Sequence, residues 1–270
     1  MNRKFIPFAI TAVVISLLFS CKKQHYKFYT INKAQTIVLD KNNSQSPKDD
    51  IKVNMQFAES VDEEHKVAAE NINSSLLGKF FASQGKPEDV IREFIDNSAE
   101  SYRSISYPLY IEQTEMYEGE FLKEMLASFE NYYKIDGKFI PSPEGTIAYE
   151  AEEQIYTGGA HPVNFTYYIN FDKETGLRIN LDDVFKDESR QQLNDLLLKM
   201  LMQQQKAKSI EDLNELGYLV EDDMSASENF LLKDDSIVFM YNVYDIAPYS
   251  MGPTRIAINY TEISEMMTRR

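Results

Sequence analysis

Apolar and polar residues alternate without a break along Ile51-Lys52-Val53-Asn54-Met55-Gln56-Phe57. That period of two predicts a half-buried strand over 51–60. A preceding run, "YKFYTINKAQTIVLD" (26–40), also reads as β, and the polar turn segment "KNNSQSPKDD" separates the two. The period then changes. Val67, Ile72, Leu76, Leu77, Phe80 and Phe81 fall near helical spacing, and Asp62, Glu63 and Glu64 are expected in that helix's first turn, where the dipole favours acids. Pro87 opens a second helix as a first-turn proline, with Val90, Ile91, Phe94 and Ile95 as its apolar face.

The stretch "FLKEMLASFENYYKI" (121–135) has both helix propensity and strand-forming aromatics, and the aromatics favour a long strand. Strands are expected at "TIAYEAEEQIYTGG" and "NFTYYINFD", with "KETG" as a turn and "LRINLDDVF" as a strand leading into a helix. "SRQQLNDLLLKMLMQQQ" is an amphipathic helix that turns Leu193, Leu196, Leu197, Met200 and Leu201 inward. "SIEDLNELG" is a short helix with Ser209 as N-cap and Gly217 just past its end. Finally "NFLLKDDSIVFMYN" and "TRIAINYTEI" supply strands on either side of the Pro/Gly-rich loop "YDIAPYSMGP". Strands and helices do not alternate regularly, so the expected class is α+β: antiparallel sheets with packed helices, in two α+β subdomains.

The N-terminus changes the picture most. Arg3 and Lys4 precede an apolar run from Phe5 to Phe19. Fifteen helical residues rise only about 22 Å, short of the ~30 Å hydrocarbon core. The segment therefore reads as a signal peptide over 1–20 rather than a membrane span. It ends in Leu18-Phe19-Ser20-Cys21, which resembles a bacterial lipobox, and Cys21 is the chain's single cysteine. Lipidation of Cys21 is expected, with residues 21–24 as the lipidated tether and the lipid as the only membrane attachment. The expected location is the cell envelope, with the periplasmic face favoured and surface exposure as the alternative.

Loss of residues 1–20 leaves 26 Lys+Arg against 43 Asp+Glu, a net charge of −17. Nucleic acid is excluded as a partner, because its phosphates require a basic face. The charge would suit a cationic partner, but the plainer reading, that acidity keeps an exported protein soluble, is favoured. With one cysteine no internal disulfide forms, so stability rests on a core for which 43% apolar content suffices.

Several separated motifs carry a family resemblance. "YTGGAHP", "INFDKETGLRINLDDVF", the Leu-rich helix, "NFLLKDDSIVFMYNVYDIAPYSMGP" and "RIAINYTEI" occur in this order over about Ile155 to Ile263. Together they resemble the C-terminal domain shared by RsiV-type lysozyme-sensing anti-sigma factors and PdaC-type peptidoglycan deacetylases. The resemblance implies a C-terminal RsiV-like α+β domain over 151–270 and, in outline, a PdaC-like N-terminal α+β domain over 25–150. Neither the deacetylases' catalytic domain nor the anti-sigma factors' sigma-binding segment and membrane helix is recognisable. What the resemblance implies is the sensing or binding part, which in the anti-sigma factors binds lysozyme directly. Lysozyme-like muramidases, which are commonly cationic, and peptidoglycan are the partners it suggests.

Residue chemistry adds no catalytic motif. The histidines His25, His65 and His161 share no ligand spacing; His25 is assigned to the tether and His65 to a surface helix, both without a special role, and no metal or cofactor is expected. Nucleophile elbows, P-loops and dinucleotide fingerprints are absent. Glu150, Glu152 and Glu153, with Asp182 and Asp183, leave a two-carboxylate glycan hydrolase as the alternative to a non-enzymatic binder. An accessory subunit of an envelope complex is a third reading. The candidate binding loops are Tyr156, Gly158, Gly159 and His161 on one side and Tyr244, Tyr249 and Met251 on the other. For His161 the residues also allow a structural role, an imidazole bonded to backbone where the strand turns, beside glycines that supply positive φ.

Overall fold

A computed structural model describes residues 25–220 and 224–268. The signal-like segment and Cys21 lie outside the described residues. Strands β1 (Tyr26–Val38), β2 (Lys48–Ser60), β3 (Asn131–Ile140), β4 (Thr146–Thr157), β5 (Val163–Asp172) and β6 (Arg178–Ile179) form a six-stranded sheet in sequential order. A second, antiparallel sheet has the order β7 (Phe230–Leu232), β8 (Ser236–Tyr241), β9 (Thr254–Asn259). The helices are α1 (Lys66–Phe81), α2 (Pro87–Met116), α3 (Gly119–Ala127), α4 (Leu181–Val184), α5 (Arg190–Gln205), α6 (Ile210–Glu215) and α7 (Tyr260–Ile263). The class is α+β, as expected.

The chain divides into two compact units that interleave in sequence: residues 25–136 with Ile155–Pro162, and Gly137–Gln154 with the described residues from Val163 onward. The sequence division at 150/151 falls inside β4.

In the first unit, β1 and β2 pair antiparallel over thirteen residues, from Tyr26↔Ser60 to Val38↔Lys48. Ile51, Val53, Met55 and Phe57 are buried in the alternation the sequence shows. Helix α1 lies on β2 and buries Ala68, Ala69, Ile72, Leu76 and Leu77, while α2 packs on both strands. Two expectations are corrected here. The acids at 62–64 precede α1 rather than occupy its first turn: His65 is the N-cap and Val67 is 64% exposed. Residues 121–135 are not one strand. Gly119–Ala127 is helix and β3 begins at Asn131, because Leu, Lys, Glu, Met and Ala are strong helix formers and only the Tyr132-Tyr133 end favours a strand.

In the second unit, β7 and β8 are buried on both faces, while β9 alternates buried and exposed positions. Leu231, Val238 and Met240 pack with Ala148 and Tyr168 of β4 and β5. Their alternates Phe230, Leu232, Ile237, Phe239 and Tyr241 join the larger core with Leu193, Leu197 and Leu201 of α5 and Leu213 of α6. Burial on both faces explains why "FLL" and "IVFMY" read as continuous apolar runs. Ser209 caps α6 by accepting from the Asp212 N–H at 3.2 Å, and Gly217 has φ +102°, as the sequence predicts.

Asparagines stitch β5 to the second sheet. The Asn170 side chain donates to the Phe230 carbonyl (2.7 Å) and accepts from the Leu232 N–H (3.0 Å). Asn229 accepts from the Tyr168 N–H and donates to the Thr166 carbonyl, and Asn242 accepts from the Thr166 N–H and donates to the same carbonyl. A carboxamide offers one acceptor and two donors, so it satisfies strand backbone that no neighbouring strand reaches.

Candidate functional site

The first candidate loop is the β4–β5 hairpin tip in the first unit. Gly158 has φ +77°, and a Cβ there would stand 1.7 Å from the Ser128 carbonyl oxygen. Only glycine fits that turn and that approach. Gly159 faces open space. His161 is exposed, with Nδ1 3.2 Å from the Pro162 carbonyl. The Tyr156 ring lies 5.5 Å from that of Tyr132, itself under the Lys134 ammonium at 4.4 Å.

The second loop, in the second unit, displays aromatics. Val243 and Ala247 are buried and hold its ends down. Asn242 N–H donates to Asp245 Oδ2 (2.7 Å), Asp245 N–H to the Asn242 carbonyl (3.1 Å) and Tyr244 N–H to the Ala247 carbonyl (2.9 Å). These bonds hold Tyr244 at φ +72°, a region costly for any residue with a Cβ, and leave it 54% exposed. Its ring stacks on Tyr249 at 6.2 Å and 29°. Met251 is half-buried, with its sulfur beside Gly217. Tyr244, Tyr249 and Met251 thus share one loop, while Tyr156, Gly158, Gly159 and His161 belong to the other unit.

Four of the five carboxylates that could serve hydrolysis have other partners. Glu150 pairs with Lys138 at 3.3 Å, Glu153 accepts from the Tyr167 hydroxyl at 3.3 Å, Asp183 closes the α4 capping box with Asn180, and Asp182 pairs with Arg190.

Two features were not found by sequence reasoning. A cleft of about 750 Å³ in the second unit has Ile179, Val184 and Leu232 on its floor and Asp172, Lys233 and Tyr260 among its polar walls. Burial, reinforced by Asp235 and Asp234, pushes the Tyr260 hydroxyl up to about 12. Its volume is in the range of small-molecule sites. The second feature corrects the assignment of His25 and His65. His65 is 3% exposed rather than on a surface helix, and both imidazoles converge on Asp62: His65 Nδ1 at 2.7 Å from Oδ1 and His25 Nδ1 at 3.2 Å from Oδ2. The ring centroids lie 4.0 Å apart, with the planes tilted by 32°. Hydrogen bonds from the His65 side chain and then its backbone hold the Asp62 carboxyl down at about 2. The Asp62-x-x-His65 spacing was visible in sequence, but nothing local indicated that His25 would join it.

Sheets joined by asparagines and a buried α5–β8 core define an α+β module of recognisable kind. Residues 182–261 match the family described as "Protein of unknown function (DUF3298)", so the chain carries a DUF3298 domain. A crystal structure of a DUF3298 family member from Bacteroides fragilis is similar over 90% of this chain and 94% of its own, with 29% identity and a TM-score of 0.79. One from Pseudomonas aeruginosa shares the fold at 15% identity and a TM-score of 0.58, over 88% of this chain and 94% of its own.

Two Bacillus subtilis proteins are also similar. The peptidoglycan-N-acetylmuramic acid deacetylase PdaC is 27% identical over 140 residues (51% of this chain), and the anti-sigma-V factor RsiV is 22% identical over 165 (58% of this chain). The chain spans 29% of the length of the first and 57% of the second. The expected resemblance is therefore found. Among the described residues no helix is long and apolar enough to cross a membrane.

Proposed function

We propose that the protein is a lipid-anchored, non-enzymatic component of the cell envelope whose DUF3298 domain binds an extracytoplasmic cationic protein of the lysozyme-like muramidase type. The observation that carries this reading is Tyr244, exposed, stacked on Tyr249 and held at positive φ by a hydrogen-bonded loop. The stacking on Tyr249 leaves more than half of the strained side chain exposed, and backbone strain of this kind concentrates at ligand-contacting positions. Tyrosine supplies large contact area at low entropy cost. The acidic balance supports a cationic partner by raising the association rate. The similarity to an anti-sigma factor and to a peptidoglycan deacetylase supports an envelope setting for this reading.

The test is size-exclusion chromatography of the full chain in detergent with lysozyme at low and moderate salt, followed by a muramidase assay. A complex at low salt that weakens with added salt is expected. No complex at low salt sinks the lysozyme assignment, and co-sedimentation with purified peptidoglycan instead would transfer the role to that ligand. Release of acetate or reducing ends from peptidoglycan would establish the hydrolytic alternative. Cys21→Ser should move the protein from the membrane to the soluble fraction, since acyl chains supply the anchor.

A further inference from the structure

The register of β1 on β2 sets Tyr26 opposite Ser60, which brings His25 beside Val61, whose N–H donates to the His25 carbonyl at 2.9 Å. The chain then turns through Asp62 into α1, and the N-cap His65 returns to the same point. Asp62 is fixed before any ligand is considered. Its N–H donates to Ser60 Oγ at 3.2 Å, the Ser60 hydroxyl donates to its carbonyl, and its Oδ1 accepts from the His65 N–H at 2.9 Å. Both imidazoles direct Nδ1 at this carboxylate, and one potential ligand atom from each of the three residues lies within 4.8 Å of the others.

We propose that His25, Asp62 and His65 form a binding site for a divalent transition-metal ion of zinc type. Two imidazole nitrogens and one carboxylate oxygen are a donor set that suits borderline ions. Zn–N and Zn–O bonds near 2.0–2.2 Å place tetrahedral ligands about 3.3 Å apart. The separations, 2.7 Å from His65 Nδ1 to Oδ1 and 3.2 Å from His25 Nδ1 to Oδ2, are close to that, and a rotation of the carboxylate that turns one oxygen towards both nitrogens admits the ion. The two rings, 4.0 Å apart and tilted by 32°, both turn Nδ1 towards the same carboxylate, as a single ion requires. His65 is buried and meets the Tyr26 ring edge-on at 5.8 Å, which limits its reorientation, while Asp62 at 37% exposure leaves the fourth position to water. With Nδ1 ligating, each ring carries its proton on Nε2. The ion ties the start of β1 to the start of α1, so binding stabilises the first unit.

The experiment uses the full chain in detergent, stripped with chelator, reloaded with ZnCl₂ and passed through gel filtration for metal analysis, with thermal melting in parallel. One Zn²⁺ per chain and a higher Tm are expected. His25→Ala should weaken binding by about 100-fold, since loss of a ligand costs at least as much as loss of its supporting partners; His161→Ala should bind as wild type. Substoichiometric zinc in the wild type, or retention by His25→Ala equal to wild type, overturns the proposal and leaves a hydrogen-bonded His–Asp–His cluster. Should His25→Ala fail to fold, the Co²⁺-loaded wild type decides. Two paramagnetically shifted imidazole N–H signals support the site, and their absence overturns it.

Discussion

The two candidate loops, Gly158–Pro162 in the first unit and Val243–Met251 in the second, solve one conformational problem in opposite ways. Each needs a residue at positive φ. The first puts glycine there, at Gly158, against a backbone carbonyl; the second puts a tyrosine there, at Tyr244, and turns its ring to solvent. Glycine at such a position is explained by sterics alone. Tyrosine is not, and the energy that holds it must come from the bonds around it. The comparison separates a loop shaped for folding from one shaped for display.

The strongest way to break this comparison is to remove the side-chain anchor beside the second loop and the glycine that shapes the first. Asn242→Ala leaves the Thr166 N–H without its acceptor, while the Thr166 carbonyl keeps the Asn229 donor, and should cost about 1–3 kcal/mol in urea denaturation. Gly158→Ala should cost a similar amount, about 2–4 kcal/mol from positive φ and overlap with Ser128 together. Gly159→Ala, with open space around it, should stay within about 0.5 kcal/mol. Equal effects of the two glycine substitutions would remove the structural account of the first loop.

Acid perturbs the first unit selectively through Asp49. Burial, with Asp50 adjoining, raises its carboxyl from the ordinary 3.8 to about 6. Between those values the folded state holds a proton that the unfolded chain has released, so Asp49 favours folding as pH falls from about 6 towards 4 and opposes it at neutral pH. Asp49→Asn should therefore stabilise the protein at pH 7 by about 1–2 kcal/mol, allowing for partial hydration of the site, with the gain vanishing near pH 4. Chemical denaturation across that range measures it, and a gain independent of pH would refute the assignment.

The subtlest substitution sharpens the contrast most. Tyr244→Gly relieves the left-handed strain and should raise stability by about 0.5–1 kcal/mol while weakening lysozyme capture by about 10-fold. Loss of stability together with unchanged capture would return Tyr244 to a packing role. His161→Ala should alter stability by less than about 0.5 kcal/mol.

Elements whose signals are local were legible in the chain. The alternation of 51–57, the leucine spacing of α5 and the Ser209 cap each appear where expected. The segment 121–135 misled because it joins a helix to a strand, and aromatics near its end outweighed the helix formers before them. Of the candidate residues, the sequence marked Gly158 and Tyr244 as belonging to special loops, since Gly and Pro punctuate both. It did not reveal which positive-φ position carried a side chain, because that depends on Val243 and Ala247 being buried on either side.

By itself, then, the sequence determined the α+β class, the DUF3298 resemblance and the acidic balance, because periodicity, motif order and charge are properties of the chain read in line. Only the tertiary structure decided that His25 meets Asp62 across 37 residues, that asparagines replace missing strand partners between two sheets, and that Tyr244 rather than His161 is the strained, displayed side chain. Each of these depends on strand register or on burial of flanking residues. Those are set by the whole core, and no window of neighbouring residues contains them.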